Sequence, residues 1–185
     1  MNAEELLKQY QLGKRNFQQS DFARIILTNA YLPQINLTLA ILTEADFTGT
    51  NLEKAIFNRA NLNLSNLSRA KLTQADLKLT SLKSALLYKT DLNKAKLEKA
   101  NLDRAILERA FLREANLEKA NLVNADLTGV NLIDANLTGA NLQDAKLTGA
   151  FLQGTNLSQA CIDRVDLSQT ILTGAIMPDG KVYQK

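Results

Sequence analysis

From Phe17 to Met177 every fifth residue is large and apolar. The 33 positions of this frame hold 27 Leu, four Phe (Phe17, Phe22, Phe47, Phe57), Ile162 and Met177, and none is polar. No regular helix or strand puts such a series on one face. An α-helix turns by about 100° per residue, so a step of five advances about 140° and winds around the whole cylinder. In a strand, side chains alternate between faces, and an odd step sends successive leucines to opposite sides. The series stays on one side only if the chain changes direction once per pentad. Four such changes close a coil of twenty residues.

With the large residue as centre i, position i−2, from Ser20 to Ala175, is Ala at 21 of 32 places and otherwise Ser, Thr, Val or Ile, so over that range it is never charged. One large and one small inward side chain per pentad fill a narrow interior at the density a core requires. Position i−1 is Asn or Asp at 18 of 33 places, while i+1 and i+2 carry most of the charged and hydroxyl residues. Asn, Asp and Gly suit frequent turns. The glycines at 49, 129, 139, 149, 154 and 174 all fall at i+2, which predicts tighter turns in the last third of the chain than in its charged middle.

The stretch "ANLEKANLVNADLTGVNLIDANLTGANLQDAKLTGA" resembles the pentapeptide-repeat family, whose motif is A(D/N)LXX, and the in-phase run covers nearly the whole chain. The resemblance implies an all-β fold: a right-handed quadrilateral β-helix, a pentapeptide-repeat solenoid of about eight coils. At a strand spacing near 4.8 Å the stack would stand roughly 35 to 40 Å tall. The uninterrupted form is most similar to small cyanobacterial members of the family.

The frame divides the chain into residues 1–14, an N-terminal helical cap, 15–177, the β-helix, and 178–185, a C-terminal turn and tail. In the first segment Asn2 reads as an N-cap, Glu4 and Glu5 fill the first turn, and Leu6, Leu7 and Tyr10 share a side. Gly13 suits the stop. A stack exposes an edge at each end that must be covered, so this short α-helix is expected to lid the first coil. There Ile25 and Ile35 replace Ala at i−2. At the other end Pro178, Asp179 and Gly180 signal a turn, after which Val182 and Tyr183 either fold back as a second lid or join two rods end to end.

Composition excludes most chemistry. With no His and one Cys, no Ser-His-Asp triad, Cys-His pair, or His- or Cys-based metal cluster is possible. No phosphate-binding glycine loop is present. The carboxylates lie outward, most with a basic neighbour, as in Glu98 with Lys99, Asp103 with Arg104 and Glu108 with Arg109. No catalytic residue, cofactor, metal or small-molecule substrate is expected. There is no apolar run long enough for a membrane helix and no signal-peptide pattern. The expected location is cytoplasmic, and the rod a monomer or an end-to-end dimer.

Residues twenty apart stack, which turns sequence into surface columns. Arg69, Lys89 and Arg109 form a basic column within a belt, residues 54–109, that holds twelve Lys or Arg against five Asp or Glu. Residues 121–185 hold four basic and six acidic residues. Acidic residues interleave the belt and no aromatic series is set out for base stacking, so nucleic acid is not the expected partner. Leu86 and Ile106 occupy the outward i−1 position of adjacent coils, with Tyr88 beside them, Phe111 on the next face and Phe151 two coils above Phe111. Apolar residues where the motif prefers Asn or Asp mark a candidate contact site for an unknown protein partner.

The leading reading is a non-enzymatic interaction or scaffold module. A second comes from the family: its quinolone-resistance members resemble B-form DNA and bind DNA gyrase, with loops projecting from the coils and a dimer joined at the C-terminal ends. The basic belt and unbroken frame of this chain depart from that pattern. A third, lattice recognition by stacked Thr128 and Thr148, fails because Tyr88, Glu108 and Ser168 interrupt the column.

Overall fold

Five backbone N–H groups per pentad must find acceptors, and the way they do so defines the architecture. In the computed structural model, which describes residues 1–184, bridges join residues twenty apart in parallel, from Asn16 with Asn36 up to Asn156 with Ile176. Lys185, last residue of the expected tail, lies outside the described residues. Around Leu97, the centre N–H donates to Asn116 O at 2.6 Å and Lys99 N–H to Glu118 O at 2.9 Å, while Asn116 N–H donates back to Ala95 O at 2.9 Å. A tight turn is closed by Ala100 N–H on Leu97 O at 3.0 Å. Four of the five donors are thus paired through the backbone. The chain is a repeat solenoid with four pentads to the turn.

One expectation needs correction. The all-β class is met only as ladders of single-residue bridges; among the described residues no continuous strand or sheet forms. A chain that bends every five residues leaves one residue per side in bridging geometry. The turns also differ from expectation. Position i+2 is left-handed at every place from Gln19 to Arg164, whatever its residue, with φ between 53° and 68°. Glycine turns are no tighter than those of Lys99 (57°) or Arg104 (57°). Stacking against the coils above and below sets the turn, and side chains that disfavour this region by about 1–2 kcal/mol are held in it.

The centre residues and the small i−2 residues form one continuous core, with nearly every Leu and Ala from Leu27 to Leu157 buried. Thr50, Thr80, Thr90 and Thr155 replace Ala there and are fully buried. Each hydroxyl donates to a centre carbonyl of the coil below, as Thr90 does to Leu67 O at 2.8 Å. Ser65, also buried at this position, donates to Leu62 O at 2.7 Å, so these five buried hydroxyls are all paired.

At the N-terminal end helix α1 spans Ala3–Gln11, with Asn2 Oδ1 accepting Glu5 N–H at 2.9 Å. Leu6 and Tyr10 are buried in the same core as the first coil, and the Tyr10 hydroxyl donates to Pro33 O at 2.6 Å. The C-terminal end is looser. The bridge expected between Lys146 and Asp166 is not made, Gly149 N–H reaches Gln169 O in place of Ser168 O, and Ile162, Val165 and Leu167 are only partly buried. The tail turns at Pro178 to Gly180 and runs back antiparallel, Val182 bridging Ile176 and Tyr183 N–H donating to Ala175 O at 2.7 Å.

Candidate functional site

The fifth N–H of each pentad, at i+1, has no backbone partner in the ladder. Every Asn or Asp at i−1, from Asn16 to Asp166, accepts it through Oδ1, as Asn116 does from Glu118 at 3.1 Å. The motif residue is therefore a turn acceptor, while the left-handed position is i+2, where the glycines of the sequence fall. An apolar residue at i−1 cannot accept it, and in the Phe111 pentad the Arg113 N–H turns instead to Asn93 Oδ1 of the coil below at 2.9 Å.

Leu86 and Ile106 are such residues. They bridge one another on adjacent coils, 39% and 40% exposed. Phe111 and Phe151 occupy the same outward position of the next face, 45% and 39% exposed, with Asn131 bridged to both. Between the faces runs the corner column of Arg69, Lys89 and Arg109, all left-handed i+2 residues. Of these, Arg109 has an ion-pair partner, Glu108 at 3.6 Å; among the described residues Arg69 and Lys89 have none. Lys89 Nζ lies 5.1 Å from the Tyr88 ring centre. That ammonium, with a smaller contribution from Arg109, draws the Tyr88 hydroxyl below the ordinary phenol pKa.

The structure divides the candidate residues between two features. A concavity of about 510 Å³ brings together Phe111, Phe151, Lys89 and Arg109 with Asn131 and Ile133. Leu86, Tyr88 and Ile106 lie outside it, as a separate apolar strip on the neighbouring face, and Arg69 belongs to neither. Ile133, Gly129 and Gln153 complete the slot and were not singled out from sequence. A signal for Gly129 was available: it follows Arg109 by twenty residues, so the corner column passes from a long side chain to none. A Cβ at Gly129 would meet Arg109 Cγ at 3.5 Å, which places the Arg109 stem over the glycine. Gln153 Oε1 is buried without a hydrogen-bond partner in the slot wall.

A larger concavity, about 730 Å³, lies elsewhere, between α1 and the first coil beside Tyr10, Arg15, Ile26 and Tyr31. Its guanidinium is already engaged: Arg15 stacks 3.8 Å over the Tyr10 ring and donates to Tyr10 O. The surface carboxylates are also engaged, by columns more than by chain neighbours. Glu98 meets Lys78 at 3.6 Å and Asp103 meets Lys83 at 3.8 Å, rather than Lys99 and Arg104, while Glu108 does pair with Arg109. Among the described residues no three acidic or thiol side chains converge, and no helix is long and apolar enough to cross a membrane.

A model of pentapeptide repeats matches residues 20–59, 60–98, 95–134 and 135–174 in eight copies. No curated protein matches the chain. Among solved structures, HetL of the cyanobacterium Nostoc sp. strain PCC 7120, a pentapeptide repeat protein involved in heterocyst differentiation regulation, is 34% identical over 99% of this chain and 100% of its own, with a TM-score of 0.42. A trypsin-treated form of QnrB1, a plasmid-mediated fluoroquinolone resistance protein, is 18% identical over 89% of this chain and 87% of its own, with a TM-score of 0.71; that likeness is one of fold. Rfr23 of the cyanobacterium Cyanothece 51142 is 22% identical over 90% and 98%, with a TM-score of 0.28.

Proposed function

The chain belongs to the pentapeptide-repeat family, and on that premise we propose that it is a non-enzymatic interaction module, a rigid scaffold that presents its outward apolar residues to a protein partner. The rod is a right-handed quadrilateral stack of about eight coils. Residues 1–14 cap it, residues 15–177 form it, and the tail from residue 178 covers part of its other end.

One observation carries the proposal. Leu86, Ile106, Phe111 and Phe151 stand where a motif Asn or Asp would accept the i+1 N–H, and each leaves about two-fifths of an apolar side chain in water. At Leu86, Ile106 and Phe151 a rod selected only for stability gains nothing from that exchange, which gives up a turn hydrogen bond of about 0.5–1.5 kcal/mol; in the Phe111 pentad the Arg113 N–H is met instead by Asn93 Oδ1 at 2.9 Å. A protein surface that covers these residues does gain from it.

The test compares cross-linked capture from native lysate by the wild type, by a Leu86→Asp, Ile106→Asp variant and by a Phe111→Asp, Phe151→Asp variant, all with matched thermal melts. A partner held by the wild type and lost from either variant supports the reading. Identical captures by all three would end it. Gyrase inhibition by DNA mimicry is not favoured, since the basic belt has the wrong sign for a groove that binds DNA; a supercoiling assay unaffected by excess protein is the expected result.

A further inference from the structure

The slot on the Phe111 face has a definite chemical character. Two phenylalanine rings stand two coils apart, about 9–10 Å at the usual spacing, with Asn131 between them and Ile133 alongside. The gap suits one large side chain. Along one flank lie Lys89 and Arg109, like charges on successive coils, and no carboxylate lines the slot. The acids around it are engaged: Glu108 is paired with Arg109, Asp134, next to Ile133, lies 3.7 Å from Arg113, and Asp91, one coil below Phe111, accepts Asn93 N–H at 3.0 Å. The lowered Tyr88 pKa reports the same positive potential from the neighbouring corner.

We infer that this slot binds an extended acidic segment of a partner protein, which seats one aromatic or large aliphatic side chain between Phe111 and Phe151 and sets its flanking carboxylates against Lys89 and Arg109. The inference rests on the interaction-module reading above and names the occupant of one part of that surface. A carboxylate placed between the two cations relieves their mutual repulsion and forms charge-assisted hydrogen bonds at the edge of an apolar patch. Gln153 Oε1, unsatisfied in the wall, offers an acceptor to a backbone N–H of the segment once its amide turns outward. The slot fits a nucleic acid poorly: the rings are separated by a polar residue, so they offer no platform for successive bases. The larger hollow at α1 lacks this combination, because its guanidinium is stacked on Tyr10.

The test titrates the full ¹⁵N-labelled chain with a blocked peptide, Gly-Asp-Glu-Trp-Glu-Asp-Gly. Controls are the same peptide with Ser for Trp, the same peptide with Lys for every acid, and a short oligothymidylate. The acidic Trp peptide is expected to shift the amides of Phe111, Asn131, Ile133 and Phe151, to bind about tenfold more tightly than either peptide control, and to weaken as salt rises from about 0.05 to about 0.5 M. Phe151→Ala and a Lys89→Glu, Arg109→Glu pair should each weaken it by about tenfold or more. These residues point outward, so thermal melts check that the variants fold. No detectable binding by the acidic Trp peptide, shifts centred on another region, equal binding of the lysine peptide, or tighter binding of the oligonucleotide would each overturn the inference. If the peptide fails while lysate capture still depends on Phe111 and Phe151, the surface stands and the acidic occupant falls. If the peptide binds while capture is indifferent to the variants, the slot chemistry stands and the scaffold reading falls.

Discussion

The side-chain amide of Asn121 donates to Oδ1 of Asn101, twenty residues earlier, at 3.1 Å, and that same oxygen accepts the backbone N–H of Asp103 at 3.2 Å. Asn136 stands in the same relation to Asn116 at 3.0 Å. A single oxygen thus closes a turn within one coil and ties it to the next.

Replacing Asn101 by Ala removes both bonds and leaves the Asp103 N–H without its acceptor. The expected cost is about 1–2 kcal/mol, read as a lower urea midpoint at unchanged slope. A change below about 0.3 kcal/mol would mean that water satisfies that N–H equally well.

Ile106→Asn makes the converse change. It supplies an acceptor for the Glu108 N–H and removes a half-exposed apolar side chain, two effects of opposite sign and each of about 1 kcal/mol. Thermal stability should stay within about 1 kcal/mol of the wild type while partner capture weakens. A large loss of stability would show that Ile106 serves packing rather than contact.

Core truncation should depend on height in the stack. Leu107→Ala, at a fully buried centre, is expected to cost about 2–5 kcal/mol. Leu167→Ala, in the displaced last coil where its side chain is only partly buried, should cost less than about 1.5 kcal/mol. Hydrogen exchange checks the same gradient: the Leu142 amide, bonded to Cys161 O at 2.8 Å, should exchange more slowly than that of Leu147, whose ladder to Asp166 is not made. Equal costs or equal protection would contradict the looser end.

Left-handed corners give a further test. Lys99 at φ 57° carries strain of about 1–2 kcal/mol that glycine would not, and glycine loses about 0.5–1 kcal/mol more through the unfolded chain. Lys99→Gly should therefore be neutral or stabilising by up to about 1 kcal/mol, and Lys99→Val clearly destabilising. The reverse order in differential scanning calorimetry would remove the claim that stacking holds these residues against their preference.

Asp144 and Arg164, on successive coils, form a two-pronged ion pair, Arg164 Nη2 meeting Asp144 Oδ2 at 2.6 Å. The guanidinium hydrogen bonds hold the carboxyl below the usual carboxylate range. A depressed folded pKa gives stabilisation that is fully present above the unfolded value and is lost as pH falls through the folded one, so the pair acts at neutral pH and fades only in strong acid. In Arg164→Gln the Asp144 carboxyl should titrate nearer its ordinary value by carbon-13 NMR. Both groups are exposed, so the neutral-pH melting temperature should move little. An unmoved titration would deny the pair.

The amino-acid sequence by itself determined the twenty-residue period, the identity of the core and the alignment of columns. Each follows from one requirement: Leu97, Leu102 and Leu107 can share an interior only if the chain bends once per pentad. It also marked Leu86, Ile106, Phe111 and Phe151 as apolar residues at a position where 18 of 33 places hold Asn or Asp. What the tertiary structure decided was everything that depends on the third dimension of a corner. Stacking, not residue type, makes Lys99 and Arg104 left-handed, and it turns Asn101 from a corner former into an acceptor. The slot itself arises where Gly129 ends a column of long side chains, and no local rule records that absence, because the residues that flank it are twenty and forty apart in the chain.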